Sequence, residues 1–406
     1  MHGNRKKAVI FGAGNIGRSF IGNIFASNGW RVIFVDANSE LVDRLNNRGS
    51  YTILIKRNNR GDETVTVSGI SALHSSQSGE IIEELCSCSL CATSVGQNAL
   101  RFVVPQIAEA VKTRAASGQP PLDVIIAENI RNGADFFRGI FIEKGLDGSE
   151  AGLVETSIGK MVPTMLREDL AVDPLILHAE EYNTLILDAE GFKNPVPDLP
   201  EIKAVKNIAA WVDRKLFIHN LGHAAAAYFG YRKFPERHLI AEIITDNEIN
   251  TLVRGAMNEA AASLLSEYPE DFTAQTLQEH IEDLLYRFGN LALGDTIFRV
   301  GRDLSRKLNR NDRILGAAGL CLKHGLPCNK IMEVFNAALD FRAVDEWGAM
   351  YASDTEFLKK TAVFSIDESG SSSLIFSLLG LKDDDLILEQ LIKEKLLLRK
   401  KDKTGN

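Results

Sequence analysis

Phe11-Gly12-Ala13-Gly14-Asn15-Ile16-Gly17 is the stretch that decides how the first half of the chain is read. It follows the apolar run Ala8-Val-Ile-Phe11, opens a helix predicted to reach about Ser27, and is succeeded by Arg31-Val-Ile-Phe-Val35, which ends at Asp36. Strand, helix and strand within about thirty residues form a right-handed βαβ unit of a parallel sheet. In that context each glycine has a purpose. Gly12 permits the tight turn, Gly14 lets a pyrophosphate approach the backbone, and Gly17 allows helix and strand to pack, while amides from Asn15 and Ile16 onward meet the phosphates. Asp36 would accept hydrogen bonds from ribose hydroxyls and repel a 2′-phosphate, so the expected cofactor is NAD rather than NADP.

Working outward, the apolar runs Leu90–Val95 and Val124–Ala127 fit further buried strands, ending in Gly96-Gln97-Asn98 and Glu128-Asn129. Ligands of open α/β sheets bind beyond the carboxyl ends of strands, which places Val95, Gly96 and Asn129 among the expected cofactor contacts. Alternation from Tyr51 to Val67 around Asn58-Asn59-Arg60-Gly61 predicts an inserted hairpin. The proline-rich Asn194-Pro195-Val-Pro197-Asp-Leu-Pro200 marks a break, and the pattern beyond it is helical. The expected fold is an α/β Rossmann-type doubly wound sheet domain over 1–200, followed by a mostly α-helical domain over 201–406. An amphipathic surface helix is expected from Leu386 to Leu398, with a frayed end.

Composition narrows the function classes. The 406 residues are 45% hydrophobic and 25% charged, as in ordinary soluble globular chains. A net charge of −8 gives no general field for nucleic acid or anionic membrane, so any anionic substrate needs a local basic cluster. No apolar run approaches the ~18 residues that span a bilayer, and the stretch after Lys7 is too short for a signal sequence. Cytoplasmic residence, a small-molecule partner and a monomer or weak homo-oligomer are the expectations. Cys86, Cys88 and Cys91 crowd together, yet the run around them reads as a buried strand with no nearby further ligand, so reduced thiols are expected rather than a metal site.

The candidate chemistry lies in Lys215-Leu-Phe-Ile-His219-Asn220-Leu-Gly-His223. On an α-helix, Lys215, Asn220 and His223 fall near 0°, about 140° and about 80°, inside one arc, with His219 at about 40°. Flanking Leu216, Phe217, Ile218, Leu221 and the Ala224–Ala227 run predict a buried helix. Burial lowers a lysine's pKa and leaves neutral amine able to accept the proton an alcohol loses as hydride departs. Asn220 and His223 would hold the developing alkoxide. His219 and His223 form an H-x-x-x-H pair, but without the internal glutamate or an evident third ligand no metal is expected.

Arg299-Val-Gly-Arg302-Asp-Leu-Ser-Arg306-Lys307-Leu-Asn-Arg310-Asn-Asp-Arg313 concentrates cations in an acidic chain. Arg302, Arg306 and Lys307 are the expected contacts of a substrate phosphate, because guanidinium forks bind phosphate bidentately.

Together these motifs resemble the polyol-specific long-chain dehydrogenase family. The resemblance rests on Phe11–Arg18 with Phe20-Ile-Gly22, on Thr93–Gly96 and on Ala127-Glu-Asn129. It continues through Arg214-Lys-Leu-Phe217, Asn220, Gly222-His223, Arg287-Phe288, Asn290 and the basic segment to Arg313, over roughly residues 7–345. It implies a zinc-independent NAD enzyme with Lys215 as general base, interconverting mannitol 1-phosphate and fructose 6-phosphate. Gly159-Lys160-Met161-Val162-Pro163, Leu291 and Ile130-Arg-Asn-Gly133 depart toward branches acting on unphosphorylated polyols or keto-hexuronates. A non-catalytic redox sensor using the cysteines is the remaining alternative, and it leaves the Lys215, Asn220 and His223 set without a purpose.

Overall fold

The run Lys7–Phe11 is β1, and its side chains divide between two cores, Ala8 and Ile10 on one face and Val9 and Phe11 on the other. Burial on both faces is what a central strand of a parallel sheet requires. In this computed structural model, which describes residues 5–58, 60–163, 165, 167–362, 378–382, 385–387 and 390, β1 pairs in parallel with β2 (Arg31–Asp36) and β6 (Leu90–Thr93). Beyond β2 lies β5 (Ile70–His74), and beyond β6 lie β7 (Leu122–Ile126) and β8 (Ala151–Ser157), all parallel. β10 (Leu185–Asp188) joins β8 antiparallel, and β11 (Ile202–Val205) pairs with β10. The resulting order is β11-β10-β8-β7-β6-β1-β2-β5. The chain runs outward from β1, then returns to its other side at β6, so the carboxyl ends of β1 and β6 form the switch point where doubly wound sheets bind ligands.

The hairpin pairs β3 (Ser50–Lys56) with β4 (Glu63–Ser68), Tyr51 facing Val67. It does not extend the main sheet. With β9 (Leu177–Glu180) parallel to β3 it forms a separate sheet, β4-β3-β9, which the sequence pattern had not indicated. β11 lies past the proline-rich break, where the pattern had been read as helical: Ile202–Val205 is too short to distinguish by periodicity alone.

The chain divides into two units, Met1–Val212 and Asp213–Asn406. The first is the Rossmann-type sheet unit and the second is mostly helical. In the second, the helix Leu221–Lys233 is buried from Ala224 to Gly230, and Gly222 and Gly230 admit Met257 and Ile243 where a Cβ would lie within 2.6 Å of them. Around it pack Asn247–Glu267, Asn329–Leu339 and Ile297–Gly301. Asp246 caps the first of these by accepting from the Ile249 amide at 3.0 Å, the expected chemistry of a helix start. Among the described residues no helix is long and apolar enough to cross a membrane. The tail helix expected over Leu386–Leu398 falls almost wholly outside the described residues.

Candidate active site

In the first unit the glycine loop leaves β1 with Gly12 at φ +94°. A Cβ on Gly12 would sit 2.4 Å from the Ser94 carbonyl oxygen, and one on Gly17 would sit 1.9 Å from that of Gly12, whereas one on Gly14 would meet nothing within 4 Å. The loop is closed at both ends and open in the middle, which fits a pyrophosphate laid against Gly14. The following helix departs from the expected α geometry: Gly17–Gly22 is a π-helical turn, and regular α-helix resumes at Asn23–Ser27. Asp36, at the end of β2, accepts from the Ala13 amide at 2.7 Å and from the Asn38 amide at 2.9 Å. It therefore anchors the loop, and since each carboxylate oxygen has a second acceptor site, ribose hydroxyls can still be received.

Val95, Gly96 and Asn129 lie at the ends of β6 and β7, as their strands dictate. The amides of Val95 and Gly96 both donate to Glu128, at 2.8 and 2.9 Å. Glu128 is a buried carboxylate to which the sequence alone assigns no role, and it fixes one strand-end loop to the next. Burial pushes its carboxyl upward, and the two amides oppose that shift. Asn129 is exposed beside it.

In the second unit Lys215–Asn220 forms another π-helical turn, leading into the α-helix from Leu221. This corrects the α-helical projection: an i→i+5 ladder brings Asn220 to roughly 50° from Lys215 instead of about 140°. Lys215 and Asn220 are half-buried. Desolvation lowers the Lys215 ammonium to about 8, Arg313 and Arg306 acting in the same direction and Asp312 against it. An amine in that range is partly neutral near physiological pH.

His223 has Nε2 3.3 Å from the Asp295 carboxylate, and its ring stacks on Phe288 at 4.7 Å with an 8° interplanar angle. Asp295 is buried and also paired with Arg299. Carboxylate and aromatic face together fix the ring's position. Neither Asp295 nor Phe288 had been assigned a role from sequence, because spacings of 72 and 65 residues from His223 carry no local signal. His219 is buried, its ring 6.3 Å from that of His223, and burial holds it well below the usual histidine range, hence neutral.

The basic segment does not converge as its spacing suggested. Lys307 is turned inward, its ammonium donating to the carbonyls of Val300, at 2.5 Å, and Arg302. Arg302 lies over the rings of Phe298 and Tyr351. Arg306 reaches an open pocket of 460 Å³ lined by Asp303, Ser305, Asn309, Asn311, Asp312 and Ser353. There it donates to Asp303 at 2.5 Å and to Asp312 at 3.2 Å. Asp312 also receives the Arg313 guanidinium at 2.7 Å, so the charges that tune Lys215 are the ones around this pocket.

Comparison with known proteins extends over nearly the whole chain. Residues 6–201 match the profile of the mannitol dehydrogenase Rossmann domain, and residues 207–394 that of the mannitol dehydrogenase C-terminal domain. A D-sorbitol dehydrogenase solved in substrate-free form is similar at 16% identity and a TM-score of 0.71, over 86% of this chain and 82% of that one. The mannitol 2-dehydrogenase of Pseudomonas fluorescens, solved as a ternary complex with NAD and D-mannitol, is similar at 17% identity and a TM-score of 0.67, over 89% and 84%. The chain belongs to the mannitol dehydrogenase family.

Proposed function

We propose that this member of the mannitol dehydrogenase family is an NAD-dependent oxidoreductase that interconverts mannitol 1-phosphate and fructose 6-phosphate, as a mannitol-1-phosphate 5-dehydrogenase does. The observation that carries the dehydrogenase chemistry is the placement of Lys215 and Asn220 on one π-turn, eight and three residues before the positioned His223, with the Lys215 amine lowered to about 8. Bound NAD would supply the hydride acceptor, held by Gly12, Gly14, Asn15, Ile16, Gly17 and Asp36 on one unit. Lys215 Nζ takes the hydroxyl proton as the carbinol carbon is oxidised, and returns it to the carbonyl oxygen in the reverse direction. The Asn220 carboxamide and the His223 imidazole donate to the oxygen as charge develops on it. No metal is required for these steps, since an amine and two hydrogen-bond donors perform what a Lewis acid otherwise does.

Arg306 is the proposed phosphate contact. Its guanidinium has five donors, and exchanging one carboxylate for a phosphate keeps its charge compensated. A second reading, an unphosphorylated polyol or a keto-hexuronate as substrate, is favoured by the inward turn of Lys307 and by the two carboxylates already on Arg306. The Gly159-Lys160 departure adds to it, with Lys160 buried and donating to the Tyr182 carbonyl at 2.8 Å. A cysteine-based sensor is disfavoured. Burial pushes the Cys88 thiol up to about 12 and raises Cys91 as well, which suppresses the thiolate that redox chemistry needs.

Loss of nicotinamide absorbance with fructose 6-phosphate, fructose, fructuronate and tagaturonate separates these readings. Turnover is expected with fructose 6-phosphate and NADH, and equal or better turnover with NADPH would remove the assigned role of Asp36. Arg306→Ala is expected to lower kcat/KM for fructose 6-phosphate by about tenfold or more, the loss of a charge-assisted hydrogen bond of roughly 1.5–3 kcal/mol. Fructose, if turned over, is expected to be little affected. Equal losses on both would make the Arg306 cluster structural.

A further inference from the structure

Arg18 follows the last glycine of the loop, and it is buried, with 6% of its surface accessible. Its Nε donates to the Ala13 carbonyl at 2.6 Å and its Nη1 to the Leu175 carbonyl at 3.0 Å. The guanidinium lies 5.7 Å from the ring centre of Tyr51, and the Tyr51 hydroxyl donates to the Arg18 carbonyl at 2.7 Å. Tyr51 is fully buried on β3, and Leu175 lies two residues before β9. The small sheet that the sequence pattern had not indicated therefore grips the turn carrying Arg18.

Ala13 is held from two sides. The peptide before its Cα donates to Asp36, and the peptide after it accepts from Arg18. These are the two peptides between Gly12 and Gly14, where a pyrophosphate must approach the backbone. Burying a guanidinium is costly unless its donors find acceptors, and an apolar side chain would fill the same space without that cost. Selection of an arginine here is explained if the carbonyl it holds must point away from the phosphates, so that amides face them.

Resting on the dinucleotide reading above, we propose that Arg18 is a positioning residue for dinucleotide binding: through the Ala13 carbonyl it clamps the glycine loop to the β4-β3-β9 sheet, with Tyr51 as the brace. It touches no ligand itself.

The test uses the full chain and two probes, NADH and ADP-ribose, titrated by NADH fluorescence and by calorimetry, with thermal melting in parallel. Arg18→Met keeps the stem and removes both donors. It is expected to weaken NADH and ADP-ribose by about the same factor, roughly tenfold, as a displaced binding loop does. KM for NADH is expected to rise with it, while kcat and KM for the sugar stay within about twofold, a split that a general loss of structure does not produce. Arg18→Lys, which can still donate to one carbonyl, is expected to recover part of the affinity. Tyr51→Phe loses only the brace and is expected to weaken both probes by about threefold. It decides the matter if the Arg18 variants do not fold. Variants that bind both probes as the wild type does, whatever their melting temperature, would overturn the clamp. Wild-type protein that binds neither probe would overturn the dinucleotide reading itself.

Discussion

Lys215→Ala is expected to lower turnover by about 10²–10⁴-fold, the usual cost of removing a general base. The loss should fall on kcat and kcat/KM together, because the amine acts in the transition state and contributes little to holding the ground state. NADH affinity should stay within about twofold, since the dinucleotide is assigned to the glycine loop and Asp36 and not to Lys215. Lys215→Arg is expected to be as inactive as the alanine variant: a guanidinium cannot become neutral at any working pH. Single-turnover kinetics with NADH and fructose 6-phosphate, alongside an NADH titration, separate the two effects. Wild-type kcat in either variant would place the base elsewhere.

Gly17→Ala is expected to reduce NADH affinity by about 100-fold, as a loop displaced by about 1 Å from its ligand does. The added methyl would sit 1.9 Å from the Gly12 carbonyl oxygen and 2.8 Å from Ser94 Oγ. The Gly12 carbonyl belongs to backbone that cannot step aside. Gly12 is fixed by its amide's bond to Val35 at 2.8 Å, and Ser94 by its amide's bond to Phe11 at 2.8 Å. The loop must therefore open, and the thermal midpoint should fall with the affinity. Affinity within about threefold of wild type, measured by fluorescence titration, would show that the pyrophosphate does not use this loop.

The glycine loop and Asp36 were legible because their constraints are local, a strand, a turn and a helix start within thirty residues. Buried parallel strands such as β6 and β7 announce themselves as short apolar runs with polar ends. The π-turns at Gly17–Gly22 and Lys215–Asn220 were not legible, since one extra residue per turn leaves no mark in an apolar pattern. Nor was the second sheet, because β9 pairs with β3 across more than a hundred residues of chain. The candidate site divides the same way. Lys215, Asn220 and His223 stand within nine residues, but Asp295, Phe288 and Glu128 act on partners 32 to 72 positions away. Lys307 illustrates the remaining limit: adjacent cations on a short helix point to different sides, and only packing decides which one turns inward.

The central claim is that a lysine of lowered pKa is the proton acceptor, and the pH dependence of polyol-phosphate oxidation tests it most directly. Only neutral amine can take the proton, so the rate must rise with pH as Lys215 deprotonates. Measured as initial NADH formation from mannitol 1-phosphate under kcat/KM conditions, the wild type is expected to rise tenfold per pH unit and level off with a midpoint near 8. Residual activity of Lys215→Ala is expected to lack that midpoint. A wild-type profile flat across pH 7–9, or a midpoint near 8 that survives in Lys215→Ala, would contradict the assignment of the base.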